Sequence, residues 1–170
     1  MKQLFLYDFD GTISTRDSLF DVLKFSSSRL KYWSTICVYL PQFALAKIGV
    51  MDKGHVKEKL ISAFWKGKSK NELESIANRY LEYAKSSGLF RPRALEQLNI
   101  DAELGDVYLV SASLDIWLEI ISNYLNINLI CTKTIFQNDV FAGKFATPNC
   151  NYGEKPIRVN AELSLDNYNH

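Results

Sequence analysis

A chain of 170 residues with 47% hydrophobic and 23% charged side chains can bury one core domain with a small insertion, and its composition is that of a soluble globular protein. A formal charge of +1 excludes a broad electrostatic attraction to nucleic acid or acidic lipid. Three scattered cysteines, Cys37, Cys131 and Cys150, read as reduced thiols of a cytoplasmic protein, not as a disulfide frame, and two histidines, His55 and His170, exclude a multi-histidine metal site.

Met1-Lys2-Gln3 carries no signal-peptide pattern and leads straight into an apolar run, Leu4 to Tyr7, that reads as a buried strand. The strand ends in Asp8-Phe9-Asp10-Gly11-Thr12. Alternate side chains of an extended backbone share a side, so Asp8 and Asp10 point the same way. Two like charges that close require a cation beside them. The C-terminal end of a strand is also where open α/β sheets place ligands. The plain alternative is an ordinary Asp-Gly turn.

Asp17 reads as the N-cap of a helix through Leu19, Phe20 and Leu23. Tyr32 to Val50 is almost uncharged and approaches the length of a membrane span, but Pro41 and several polar residues interrupt it. The reading preferred is a buried helix pair bent at Pro41, with membrane contact the lesser reading. Val56, Leu60 and Phe64 recur at helical spacing, and Gly67 stops that helix. Ser69 and Glu72 form a capping-box pattern ahead of Leu73, Ile76, Ala77, Tyr80 and Leu81. Arg91-Pro92 opens a further helix.

Strand signals resume at Val107 to Val110, which ends in Ser111-Ala112-Ser113. An amphipathic helix through Ile116, Trp117, Ile120 and Ile121 follows, then a short strand, Asn128 to Cys131. Residues 134–145 read as a hairpin with Asn138-Asp139 at its turn, and Glu154-Lys155-Pro156 leads a last helix. Helices between consecutive strands predict an α/β fold with a parallel, Rossmann-like sheet. Residues 1–16 and 100–170 form the expected core, and residues 17–99 a helical insertion placed to fold over the acid pair as a cap. Ser111 ends a strand where its hydroxyl could meet an anion, with the N–H groups of Ala112 and Ser113 as further donors, although a serine there is often only a helix cap. Lys155 at a helix start opposes the helix dipole, which points to an anionic partner; the plain alternative is a solvated lysine.

Asp8-Phe9-Asp10-Gly11-Thr12, Val110-Ser111-Ala112-Ser113 and Gly153-Glu154-Lys155, in this order, resemble the three leading motifs of the haloacid dehalogenase-like (HAD) superfamily, in its phosphoserine-phosphatase-like branch. The resemblance implies a Mg²⁺-dependent phosphatase acting on a small phosphomonoester through an aspartyl-phosphate intermediate. Asp8 would be the nucleophile and Asp10 the general acid and base. Ser111, Ala112, Lys155 and the Gly11 turn would hold the phosphate. The metal would take the Asp8 side chain and the Asp10 carbonyl. Asp17 matches a position that meets a substrate ammonium, with helix capping the equal alternative. The presence of Asp10 favours phosphoryl transfer over dehalogenation.

The sequence departs from the family pattern at its end, where no apolar strand bearing the acids of a fourth motif follows Leu163. The core is therefore expected to be C-terminally incomplete, with slow turnover and an open edge on the first strand that a partner chain could cover. Two alternatives stand beside the first: a weak or inactive HAD-fold protein that binds phosphate or a partner, and a lipid-phosphate phosphatase.

Overall fold

A computed structural model describes residues 2–168. Strand β1 (Gln3–Tyr7) is followed by one wide turn, Phe9–Ile13, and four helices: α1 (Ser18–Phe25), α2 (Arg29–Lys47), α3 (Lys53–Trp65) and α4 (Lys70–Ser86). Helix α5 (Pro92–Leu104), strand β2 (Gly105–Leu114), helix α6 (Asp115–Leu125) and strand β3 (Asn128–Thr132) come next. Strands β4 (Thr134–Gln137) and β5 (Val140–Phe145), helix α7 (Glu154–Glu162) and a single 3-10 turn, Leu165–Asn167, complete the order among the described residues.

The strands form a parallel sheet in the order β1-β2-β3 and a separate antiparallel hairpin, β4-β5. Register places Leu6 beside Tyr108 and Tyr7 beside Leu109, so the chain passes from Asp8 into its turn beside the C-terminal half of β2. Beyond β1 on its open side, Tyr168 makes a single parallel bridge to Lys2. Helix α5 packs on β2 and on the wide turn, α6 covers the sheet beside α4, and α7 docks on β2 and β3 through Val159, Val110, Ile130 and Cys150. That docking carries the first turn of α7 to the same sheet end as the acid pair.

The insertion leaves and returns through paired chain segments. Thr15 N–H donates to Leu89 C=O at 2.7 Å, and Arg91 N–H donates to Ile13 C=O at 2.8 Å. One hydrophobic core then runs from the sheet into the insertion, with Phe9, Ile13, Leu109 and Trp117 against Trp65, Leu60 and Tyr80. The indoles of Trp65 and Trp117 meet edge to face at 5.9 Å between centroids. Hairpin β4-β5 turns at Asn138-Asp139, both with positive φ, as the sequence pattern predicts. Gly143 in β5 has φ +75°, and a Cβ there would come within 2.5 Å of Ser62 Oγ, so glycine is what lets the hairpin lie against α3.

The expected buried pair of helices around Pro41 is not what forms. Helix α2 runs unbroken through Pro41, and only Tyr32 and Ala46 are fully buried. Its apolar residues encircle the axis instead of forming one stripe, while its neighbours α1 and α3 cover one side only. Leu30 and Val38 therefore face outward, at 83% and 66% exposure. No helix among the described residues is long and apolar enough to cross a membrane.

Candidate active site

Gly11, with φ +80°, lets the chain reverse immediately after Asp10, and Ser14 N–H closes the wide turn on Phe9 C=O at 2.9 Å. Phe9 and Ile13 are wholly buried, which holds the turn to the core while Asp8 and Asp10 stay partly open. Asp8 Oδ1 accepts the Phe9 N–H at 2.7 Å, and Asp8 Oδ2 lies 2.8 Å from Lys155 Nζ. A cation for Asp8 is thus supplied from α7, near the other end of the chain. An ammonium in the first turn of a helix is mildly disfavoured by the helix dipole, and here it is offset by a carboxylate in direct contact.

Asp10 is held at both oxygens. Oδ1 accepts the Ser18 N–H at 2.7 Å, and Oδ2 accepts the Ser113 hydroxyl at 2.6 Å. Behind Ser113 stands Ser18 Oγ at 3.2 Å, and Trp117 Nε1–H donates to Ser18 Oγ at 3.1 Å. The indole N–H can only donate, so a consistent proton order runs Trp117 to Ser18 to Ser113 to Asp10. Ser18, Ser113 and Trp117 are all buried, and the chain of bonds links insertion, sheet and α6 at one carboxyl group.

The strand expected to end at Ser111 runs on to Leu114, past an irregularity in its register with β3, so Ser111 is buried inside β2, two residues beyond the partner of Tyr7, and its Oγ accepts the Ser113 N–H at 3.1 Å. The structure places Ser111 at the same sheet end as Asp8 and Lys155 without a hydrogen bond to either. The Gly11 N–H is turned toward Ser14 Oγ at 3.2 Å. Asp17 caps α1, accepting the N–H groups of Leu19 and Phe20 at 3.0 and 3.3 Å, and it also lines a cavity between α1, α2 and α3. Surrounding protein, and then the charge of Asp10, push its carboxyl above the usual carboxylate range, although solvent still reaches the residue through the cavity mouth.

One site neighbour escaped the sequence reading. Lys57 of α3 is only 9% exposed, and its Nζ donates to Ala112 C=O at 2.6 Å, which also accepts the Thr132 hydroxyl at 2.9 Å. Desolvation lowers its pKa, against the opposing pull of Asp10 and Asp17. A signal was present: Lys57, Leu60, Ile61 and Phe64 lie on one helical stripe, and a lysine within an apolar stripe is an anomaly. Ser18 and Trp117, by contrast, read as an ordinary helix start and an ordinary core residue.

Among the described residues, no three or more histidine, cysteine, aspartate or glutamate side chains cluster so as to hold a metal ion. What the turn does offer is the Asp8 carboxylate, solvent-accessible but paired with Lys155, and the Asp10 backbone carbonyl, both hard oxygen donors of the kind Mg²⁺ takes when it keeps several waters and leans on a substrate phosphate.

The fold has solved relatives. A protein of unknown function from Bordetella pertussis superposes with a TM-score of 0.78 at 18% identity, over 99% of this chain and 77% of that one. A HAD family hydrolase from Salmonella enterica gives 0.73 at 16% identity, over 98% of this chain and 53% of its own. A substrate-bound phosphoserine phosphatase gives 0.67 at 15% identity, over 99% and 74%. No curated protein matches the chain. The family model of the haloacid dehalogenase-like hydrolases matches residues 5–169, which takes in the acid-bearing turn, Ser111 and Lys155 together. The acid pair on its turn and the lysine that meets it from α7 both lie within the matched residues, and the chain belongs to the haloacid dehalogenase-like hydrolases.

Proposed function

We propose that the protein is a phosphomonoester hydrolase in which Asp8 is the nucleophile. The observation that carries this reading is the 2.8 Å contact between Asp8 and Lys155, which sets an anionic nucleophile beside a cation able to balance an incoming phosphate. In the first step an Asp8 oxygen bonds to phosphorus as the ester P–O bond breaks, and Asp10 gives its proton to the departing alcohol oxygen. In the second step Asp10 takes a proton from water, that water attacks phosphorus, and the bond to Asp8 breaks to release inorganic phosphate. Lys155 and the Ser111 hydroxyl, with the backbone of Ala112 and Gly11, would steady the phosphoryl oxygens. The Ser113 hydroxyl can turn from donor to acceptor as Asp10 gains its proton, so the carboxyl keeps its place through both steps.

Mg²⁺ would be held by the Asp8 carboxylate and the Asp10 carbonyl, and when bound it supplies positive charge to the phosphoryl oxygens. Helices α1 to α4 act as a cap on the Asp10 side of the site; α5 rests on β2 and belongs mechanically to the core. Three free thiols fit a reducing, cytoplasmic setting. The test is release of phosphate from an aryl phosphate in the presence of Mg²⁺, abolished by Asp8→Asn. Retained activity in that variant removes the mechanism.

A second reading has one observation in its favour: among the described residues no third acid joins Asp8 and Asp10 in a group that could hold a metal ion. A protein that binds phosphate without turning it over would show calorimetric phosphate binding with no product.

A further inference from the structure

Between α1, α2 and α3 lies a cavity of about 410 Å³, the size of a small-molecule site, walled by Phe20 of α1, Ile36, Leu40 and Phe43 of α2, and bounded at one end by Asp17 and Lys57. That end adjoins the chemistry. Asp17 immediately precedes Ser18, whose N–H binds Asp10, and Lys57 holds the carbonyl of Ala112, next to Ser111. A substrate whose phosphorus sits at Asp8 therefore directs its alcohol portion past Asp10 into this cavity. Lys47, Lys53 and Asn149 bring further polar groups to its lining, but most of the lined surface is apolar. Farther in, the group meets aromatic and branched aliphatic walls, with the Phe20 and Phe43 rings set edge to face at 5.7 Å between centroids.

We propose that this cavity is the leaving-group subsite and that it takes the hydrocarbon body of an apolar alcohol, so that the substrate is an alkyl or arylalkyl phosphomonoester. The proposal rests on the phosphatase reading above. A short leaving group with both an ammonium and a carboxylate, as in O-phosphoserine, could meet Asp17 and the lysines but would leave the apolar walls wet, and so forgoes their burial.

The experiment separates the two claims by measuring binding without turnover. Calorimetric titration with methyl-, propyl- and hexylphosphonate, which cannot be hydrolysed, is expected to show affinity rising with length. Full burial of each methylene gives roughly fourfold tighter binding. Leu40→Ser, at a residue that is largely exposed and so tolerant of change, and Phe43→Ala should both flatten that dependence. Parallel assays with hexyl phosphate and O-phosphoserine should favour the former in kcat/KM. Equal affinity across the phosphonates overturns the subsite and leaves the phosphatase reading standing. Failure of every phosphonate to bind overturns both. Length-dependent binding with hydrolysis undiminished in Asp8→Asn keeps the subsite and removes the mechanism.

Discussion

Lys155 Nζ lies 2.8 Å from Asp8 Oδ2, joining the first turn of the last long helix to the end of the first strand. Both groups keep solvent contact, at 26% and 44% side-chain exposure, so the pair contributes little to folding, within about 1 kcal/mol. Its value is to the developing charge on a bound phosphate. Lys155→Met should thus lower kcat/KM for an aryl phosphate by about 10²- to 10³-fold, the usual cost of losing one such donor, while the thermal midpoint barely moves. Assay and melting curve together check this; a large drop in the midpoint would make Lys155 structural.

The bonds running from Trp117 through Ser18 and Ser113 to Asp10 give a prediction of the opposite kind. Ser18→Ala leaves the buried Trp117 N–H without an acceptor, and the expected loss is about 1–3 kcal/mol in urea unfolding. Ser113→Ala removes the bond to Asp10 itself and should depress kcat more than stability. If the two variants showed the same ratio of lost activity to lost stability, the ordered chain of donors would have no special role.

Lys57 makes stability depend on pH. Its folded pKa lies below the ordinary 10.5 because burial disfavours the ammonium. Between the folded value and 10.5 the unfolded chain binds more protons, so stability rises with pH through that window, and the penalty is full below it. Lys57→Met removes the buried charge, and Ala112 C=O keeps the Thr132 hydroxyl as partner. The variant should be more stable than the parent at neutral pH, with the difference shrinking as pH approaches 10.5. Urea unfolding at several pH values checks both the sign and the trend.

Gly143 tests the seat of the hairpin on α3. Alanine there would carry φ +75° and crowd Ser62 Oγ, so Gly143→Ala should destabilise by about 1–3 kcal/mol. Ser62→Ala in the same chain should relieve the crowding and leave the backbone cost. Double-mutant unfolding measurements separate the two parts.

Much was legible from residue order because it depends on local physics. The periodicity of α4 and α6, the Ser69–Glu72 capping box, the Asp17 cap and the Asn138-Asp139 turn all arise within a few residues of chain, and each forms where the pattern puts it. Helix α2 misled because hydrophobicity spread round a helix says that something apolar is near without saying which side the neighbours occupy. Its neighbours cover one side, so much of the apolar surface faces out.

Residue order alone determined that a strand delivers two acids to a Gly-bearing turn, since alternation and turn propensity act over a handful of bonds. Only the tertiary structure decided which groups meet those acids. The docking of α7 on the sheet sends Lys155 to Asp8, and the closure of the insertion brings Ser18 and Lys57 to Asp10 and Ala112. Such partners come from packing between elements far apart in the chain, and packing depends on the shapes of whole faces, which no local pattern encodes.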